Sequence, residues 1–203
     1  QDGEVVACSR ARLDICDHAA VLQVTSETRP DVILNCAAYN DVDGAETDPG
    51  AAMQVNGFGV RSLAAAARET GAVLVHYGTD FVFDGTAVHP YDESASPGPQ
   101  SVYATSKLLG EWFARGAPRH CVLRVESLFG GGTEAVDPTV RPLGSTVDRM
   151  VDAMLAGRPV RGVTDRPVSP SYVPDVAAAT RSLVMGNAAV GLYHCVNTGR
   201  ATW

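Results

Sequence analysis

Short apolar runs alternate along this chain with longer amphipathic segments, and this alternation limits its fold more than any other feature. The apolar runs have the length and character of strands that are buried on both faces of a sheet. They occupy residues 4–8, 31–38, 72–77 and 120–125. Segments with helical periodicity separate them, at residues 17–28, 49–71 and 101–111. This order predicts an α/β fold built on a doubly wound parallel sheet.

The regular alternation loosens after residue 130. The elements predicted there are a polar loop at residues 130–144, amphipathic helices at 145–156 and 173–185, and a short strand at 192–196. We therefore expect two units, a sheet domain at residues 1–130 and a smaller C-terminal lobe at residues 131–203. A ligand is expected in the cleft between them.

The composition excludes several classes of partner. A net charge of −7 argues against binding to nucleic acid or to an anionic membrane, because both need a basic face. No apolar run approaches the roughly 18 residues of a membrane span. The five cysteines contain no Cys-x-x-Cys pair and the five histidines form no cluster, so we expect no metal site. These cysteines are typical of small core residues in a reducing cytoplasm.

Lys107 is the single lysine of the chain, beside fifteen arginines. An ammonium group can titrate whereas a guanidinium stays charged, so this position suggests a task that arginine cannot perform. Tyr103 precedes it by four residues in a predicted helix, which places both side chains on one face, about 5–6 Å apart at Cβ. An ammonium beside a phenol is expected to lower the tyrosine pKa, which makes Tyr103 a candidate general acid or base. A chance pair on a solvated helix face is the alternative interpretation.

The turn that usually holds the phosphates of a dinucleotide is not found in this sequence. Such a turn is rich in glycine and joins the first strand to the first helix. The glycine run at residues 130–133 follows a strand, but no apolar helix comes directly after it, and we interpret it as a loop. We therefore expect the strand at residues 4–8 to be the second of the sheet, with about 30 residues missing before it. Weak or absent dinucleotide binding is the expectation for the chain as given.

Four segments occur in an order that resembles one known family. They are Asn35-Cys-Ala-Ala-Tyr39 with its continuation to Glu46, Thr79-Asp-Phe-Val-Phe-Asp-Gly85, Tyr103 to Glu111, and Leu123-Arg124 to Gly130. Together they resemble the extended short-chain dehydrogenase/reductases, and most closely the dTDP-4-dehydrorhamnose reductase family. The resemblance implies a Rossmann-like NAD(P)-binding domain at residues 1–130, whose first strand, Gly-rich loop and first helix are missing. It also implies a partial substrate-binding lobe at residues 131–203.

In that family the catalytic set is a threonine at a strand end, a tyrosine and a lysine, which correspond here to Thr79, Tyr103 and Lys107. The resemblance implies reduction of the 4-keto group of a nucleotide-linked deoxysugar by NADPH. Tyr103 would donate a proton to the developing alkoxide, and Thr79 would bond the carbonyl oxygen. Lys107 would hold the tyrosine pKa down and bind the nicotinamide ribose. The position of Thr79, just past the third predicted strand, is where doubly wound sheets bind ligands.

Arg10 gives one indication of the cofactor. It closes the first apolar run, and no acidic residue stands where an NAD enzyme binds the ribose 2′-hydroxyl. Arg10 would then accommodate a 2′-phosphate, so NADPH is the expected cofactor and NADH the alternative, although an ordinary surface arginine fits the pattern equally well. By resemblance, the other cofactor-binding residues are Asp14, Ile15, Cys36, Ala37, Ala38, Tyr39 and Lys107. The substrate-binding residues are Asn40, Val42, Asp80, Phe81 and Ser127.

Two positions depart from the family pattern. Ser127 replaces the tryptophan that stacks on the sugar, which puts the rhamnose precursor itself in question as the substrate. Gly78 replaces the serine that precedes the catalytic threonine. Neither change touches Thr79, Tyr103 or Lys107.

Other interpretations of the same sequence stay open. One is a sugar-nucleotide dehydratase or epimerase, although a dehydratase would carry an acidic residue after Asp80, where this chain has Phe81. A non-catalytic regulatory subunit of the methionine adenosyltransferase type resembles the same family, and the intact catalytic set weighs against it. A truncated, inactive form is a third interpretation. The resemblance also allows a homodimer.

Overall fold

A computed structural model describes residues 3–130, 144–186 and 190–203. Its centre is a four-stranded sheet whose strands all run parallel and follow chain order. The strands are β1 (Val32–Asn35), β2 (Val73–Thr79), β3 (His120–Val125) and β4 (Gly191–His194). The parallel arrangement confirms the sheet that the sequence predicts.

Seven α-helices lie within these described residues. They are α1 (His18–Thr28), α2 (Val42–Thr47), α3 (Pro49–Met53), α4 (Val60–Thr70), α5 (Val102–Ala114), α6 (Thr146–Leu155) and α7 (Val173–Met185). None of these helices is both long and apolar enough to cross a membrane. The short helix α2 has no counterpart in the sequence-based prediction.

Helices cover both faces of the sheet, because alternate side chains of a strand point in opposite directions. Leu74 of β2 and Val122 of β3 pack with α1, α4 and α5 in one buried cluster. Val73 and Leu123 point the other way and pack with Leu183 of α7. The predicted α/β architecture, a Rossmann-like sheet between helices, is therefore confirmed.

The long helix predicted at residues 49–71 is interrupted. A π-helical turn at Gln54–Gly59 separates α3 from α4, and Asn56 is buried within it. Turns of this kind are rare inside helices and are frequent at functional sites. Apolar periodicity did not reveal the interruption, because the extra residue in the turn shifts the pattern only locally.

The apolar run at residues 4–8 does not form the predicted strand. Its backbone pairs with none of the four strands, and Val5 is 87% exposed. A strand needs a neighbour that supplies hydrogen-bond partners to its N–H and C=O groups, and apolar composition alone supplies none. The strand prediction for these residues is wrong.

The elements after residue 144 differ in their contacts with the sheet. β4 pairs with β3, and α7 packs on the sheet. Helix α6, in contrast, contains no buried residue. Most of the predicted loop at residues 130–144 falls on residues 131–143, which lie outside the described residues. The predicted boundary at residue 130 adjoins them. The division into two domains stays a prediction.

Candidate active site

The carboxyl end of β2 carries the first of the predicted catalytic residues. Thr79 is the last residue of β2, which runs two residues beyond the predicted strand end, and it is buried. Its hydroxyl donates to Asp80 Oδ1 at 3.2 Å and accepts the N–H of Phe81 at 3.3 Å. These bonds fix the hydroxyl at the sheet edge where doubly wound folds bind ligands.

Helix α5 brings Tyr103 and Lys107 to the same edge. Ser101 begins the helix, because its hydroxyl accepts a backbone N–H of the first turn at 3.1 Å, as an N-cap does. The Tyr103 side chain is 9% exposed and meets Phe81 edge to face, with ring centroids 5.7 Å apart. The hydroxyl of Thr79 faces the phenol. The structure thus brings Thr79 and Tyr103 together.

Asn56 holds α5 in place, and the sequence analysis did not identify it. Gly110 of α5 lies against the carbonyl oxygen of Asn56, and a Cβ at this glycine would overlap that oxygen. The Asn56 side chain donates to Ser106 Oγ at 2.9 Å, accepts the N–H of Tyr39 at 2.8 Å and donates to the Tyr39 carbonyl at 3.0 Å. A polar residue beside Gly57, in the middle of the predicted helix, is the signal that could have revealed it.

Lys107 has a partner that the sequence did not predict. It is 4% exposed, and its Nζ donates to the backbone carbonyl of Tyr77 in β2 at 2.7 Å. Burial lowers the pKa of its ammonium to about 8. The pKa of Tyr103 is raised, first by burial and then by the charge of Asp80. The prediction that Lys107 lowers this pKa is wrong, because burial and Asp80 raise it and the Lys107 ammonium is hydrogen-bonded to the Tyr77 carbonyl.

Residues 36–39, assigned to the cofactor by resemblance, continue from β1 along the same sheet edge. Cys36 and Ala37 are exposed, whereas Ala38 and Tyr39 are half-buried. The N–H of Ala37 donates to Asn35 Oδ1 at 3.1 Å, which fixes the turn. Small exposed side chains leave the backbone here open to a ligand.

Arg10, Asp14 and Ile15 lie in the turn before α1. Arg10 and Asp14 are exposed. The pKa of Asp14 is lowered, first by the N–H of Cys16, which donates to its carboxylate at 2.9 Å, and less by the charge of Arg10. Ile15 packs against the buried cluster of α1 and α4, so its side chain also serves the core.

The residues assigned to the substrate fall into two groups. Val42 and Phe81 pack around Tyr103 in one cluster, and Asp80 lies next to Thr79. Asn40 is exposed and Ser127 follows β3, and among the described residues both lie outside that cluster. Ser127 has a φ of 44°, a left-handed conformation that residues other than glycine rarely adopt.

A buried ion pair lies beneath the strand ends. Arg124 of β3 donates to both carboxylate oxygens of Glu111 in α5, at 2.9 and 2.8 Å. The strand register sets Arg124 beside Gly78, and a Cβ at Gly78 would lie 2.6 Å from Glu111 Oε1. Glycine at this position, a departure from the family pattern, therefore leaves room for the pair that ties α5 to the sheet.

The fold and the candidate site together define the class of protein to which the chain belongs. A parallel sheet between helical layers, with Thr, Tyr and Lys side chains gathered at its carboxyl edge, is the arrangement of the extended short-chain dehydrogenase/reductases. In the part of the chain that the structure describes, no group of three or more His, Cys, Asp or Glu side chains could hold a metal ion.

The chain belongs to the family described as the RmlD substrate binding domain, whose model matches residues 1–203. It is 38% identical to a dTDP-4-dehydrorhamnose reductase of Streptomyces griseus, over 98% of this chain and 64% of that relative. It is 37% identical to a dTDP-4-keto-6-deoxy-D-glucose reductase of Streptomyces niveus, over 98% of this chain and 66% of the relative. The chain thus spans a little under two thirds of the length of these relatives.

Solved structures agree with this assignment. A dTDP-4-dehydrorhamnose reductase from Clostridium acetobutylicum superposes with a TM-score of 0.90 at 31% identity, covering 98% of this chain and 68% of its own. The same enzyme from Bacillus anthracis, in complex with NADP, gives 0.88 at 32% identity, over 97% of this chain and 66% of its own. The resemblance seen in the sequence is confirmed.

Proposed function

We propose that this chain carries the catalytic part of an NADPH-dependent reductase that acts on the 4-keto group of a nucleotide-linked deoxysugar. The observation that carries the proposal is the meeting of Thr79, Tyr103 and Lys107 at the carboxyl end of β2. The reductases named above, which share the family, support the reaction type.

Tyr103 is the proton donor in this proposal. Its raised pKa keeps the phenol protonated at neutral pH, as a donor to a developing alkoxide requires. The Thr79 hydroxyl, fixed by its bonds to Asp80 and Phe81, would bond the same oxygen and stabilise its charge. Lys107 would place a positive charge near the phenolate that remains after proton transfer.

The residues present fit the nicotinamide and ribose end of NADPH, which would supply the hydride. Lys107 provides an ammonium donor at the carboxyl edge, and Cys36 and Ala37 leave the backbone beyond β1 exposed. Arg10 is exposed and would accept a 2′-phosphate. The complex of the related Bacillus anthracis reductase with NADP supports the same cofactor.

The substrate is proposed as a class, a 4-keto-6-deoxysugar linked to a nucleoside diphosphate. The two Streptomyces relatives are named for different sugars at nearly equal identity to this chain. Ser127, with no aromatic ring to stack on a sugar, gives the β3 side of the site a more open surface. Both dTDP-4-dehydrorhamnose and dTDP-4-keto-6-deoxyglucose are therefore substrates to be compared.

The test is NADPH oxidation by the full-length protein with these two ketosugars. Tyr103→Phe keeps the ring but removes the transferable proton, so we expect kcat to fall about 10²–10⁴-fold with no change in fold. Near-UV circular dichroism and thermal unfolding check the fold. Tyr91→Phe is the matched control, because the Tyr91 hydroxyl bonds Asp84 at 2.5 Å in the loop after β2 and should leave kcat unchanged.

The outcomes separate the alternatives. A Tyr103→Phe variant nearly as active as wild type would contradict proton donation by Tyr103. Loss of water or inversion of the sugar without net NADPH consumption would favour a dehydratase or epimerase. Absence of turnover in the wild type, together with tight binding to a partner enzyme, would favour the regulatory subunit.

A further inference from the structure

Arg166 lies beside the candidate active site and was not among the residues predicted to bind the substrate. Its guanidinium stands over the ring of Phe81, 4.2 Å from the ring centre, and donates to Asp80 Oδ2 at 3.1 Å. Phe81 in turn meets Tyr103 edge to face, with ring centres 5.7 Å apart. The distances of 4.2 and 5.7 Å place the guanidinium within about 10 Å of the centre of the Tyr103 ring. One substrate molecule can therefore contact both residues.

The backbone that carries Arg166 is fixed to the end of β3. The N–H of Ser169 donates to Glu126 Oε2 at 2.7 Å, and the N–H of Ser171 donates to the Glu126 carbonyl at 2.8 Å. Ser171 is fully buried. Because these bonds already order the segment, less conformational entropy remains to be lost when the guanidinium binds a ligand.

The guanidinium of Arg166 keeps most of its hydrogen-bonding capacity. It has five N–H donors, and within the described part of the chain its one hydrogen bond is the bond to Asp80. A guanidinium that stacks on an aromatic ring uses its flat face, so its N–H edges remain open to other partners. The side chain is 46% exposed. Arg166 can therefore donate to a ligand from solvent while it stays bonded to Asp80.

Arg166 is more accessible than the other cations already described at the strand ends. Lys107 is 4% exposed and donates to the Tyr77 carbonyl. Arg124 is 3% exposed and is paired with Glu111. A guanidinium matches the geometry of phosphate oxygens and binds them through paired, charge-assisted N–H bonds. The accessible cation at this edge is thus of the type that suits a phosphate group.

We propose that Arg166 is a substrate-binding residue that holds the diphosphate of the nucleotide-linked sugar. The inference rests on the proposed reductase function, which supplies this substrate. In such a substrate the diphosphate is attached at C1, across the sugar ring from the C4 keto group. When the keto group meets Tyr103, a cation several ångström away therefore suits the diphosphate. Asp80 orients the guanidinium and Phe81 supports its flat face.

The first test measures the binding of dTDP to the full-length protein by titration calorimetry. Arg166→Gln removes the positive charge and the paired donors, so Kd should rise about 10–100-fold. Arg166→Lys keeps the charge but loses the planar fork, so its Kd should lie between those of the wild type and Arg166→Gln. Added salt should weaken binding less in Arg166→Gln than in the wild type, because one charge contact is gone.

The second test compares KM for the ketosugar with kcat. The diphosphate does not change during reduction, so a residue that binds it contributes equally to the ground state and the transition state. In Arg166→Gln we therefore expect KM to rise about 10–100-fold while kcat stays within about twofold of the wild type. A residue that only supported Phe81 would instead displace the Tyr103 ring and lower kcat.

Arg115→Gln is the matched control, because it removes one positive charge by the same substitution. Arg115 is exposed and follows the last residue of α5, about 18 Å along the helix from Tyr103. Its Kd for dTDP and its KM should equal those of the wild type.

The outcomes separate this proposal from the reductase function. A Kd for dTDP in Arg166→Gln within about twofold of the wild type overturns the proposal, even if the wild type reduces the ketosugar. Absence of dTDP binding to the wild type overturns it as well, and so does a loss of kcat with unchanged KM. Binding of dTDP that depends on Arg166, in a protein that reduces no ketosugar, supports the diphosphate site and rejects the reductase function alone.

Discussion

The two sides of Thr79 are held by different forces. On one side Tyr103 and Lys107 lie on α5 and are 9% and 4% exposed. On the other side Asp80 and Arg166 form an ion pair whose side chains are 24% and 46% exposed. Close packing fixes the side with Tyr103 and Lys107, called the packed side below. Charges at the protein surface fix the side with Asp80 and Arg166, called the charged side.

The difference indicates separate tasks for the two sides. A proton donor must keep a fixed position relative to the reacting oxygen, and a close-packed helix provides such a position. A side held by partly exposed charges responds to salt and pH, because solvent ions screen the pair and carboxyl groups titrate. Each side can therefore be perturbed by a different kind of experiment.

The largest effect is expected on the packed side. Glu111→Gln keeps the shape of the side chain but leaves the buried guanidinium of Arg124 without its carboxylate. We expect the free energy of unfolding to fall by about 3–5 kcal/mol, measured by urea denaturation. Glu46→Gln is the control, because the exposed Glu46 carboxylate accepts the N–H of Val102 at 2.8 Å. A loss below about 1 kcal/mol for Glu111→Gln would show that α5 does not depend on the ion pair.

A smaller effect on the packed side is expected from pH, which acts on Lys107. Because the pKa of Lys107 is about 8, its ammonium loses the proton as pH rises through that value. We expect kcat to fall about tenfold for each pH unit above it, since the ammonium that the proposed mechanism uses is lost. Lys107→Arg stays charged, so its reduced kcat should show no such decline. A decline that persists in Lys107→Arg would assign the titration to another group.

The smallest effect on stability is expected on the charged side. Arg166→Leu removes a partly exposed ion pair, so the free energy of unfolding should change by less than about 1 kcal/mol, while KM for the ketosugar rises. Added salt should raise KM of the wild type in the same direction. A stability loss above about 2 kcal/mol would show that packing also holds this side, and the contrast between the sides would fail.

Local sequence patterns predicted the helices and strands whose bounds depend on neighbouring residues in the chain. The strand at residues 120–125 and the helix at 173–185 have the predicted bounds, because each is a complete run of one periodicity. The run at residues 4–8 looks the same in sequence, but no strand among the described residues pairs with it. The interruption at Gln54–Gly59 was missed because it shifts the apolar pattern only locally, whereas its buried Asn56 contacts α5, which is distant in sequence.

The sequence by itself determined the class of fold, the four segments that resemble one reductase family, and the candidate set Thr79, Tyr103 and Lys107, since each is encoded in spacing along the chain. Only the tertiary structure decided the direction of the Tyr103 pKa, which depends on burial and on the charge of Asp80. It alone also brought Asp80 and Arg166 together. These residues come from two distant segments, and a contact between distant segments leaves no pattern within either of them.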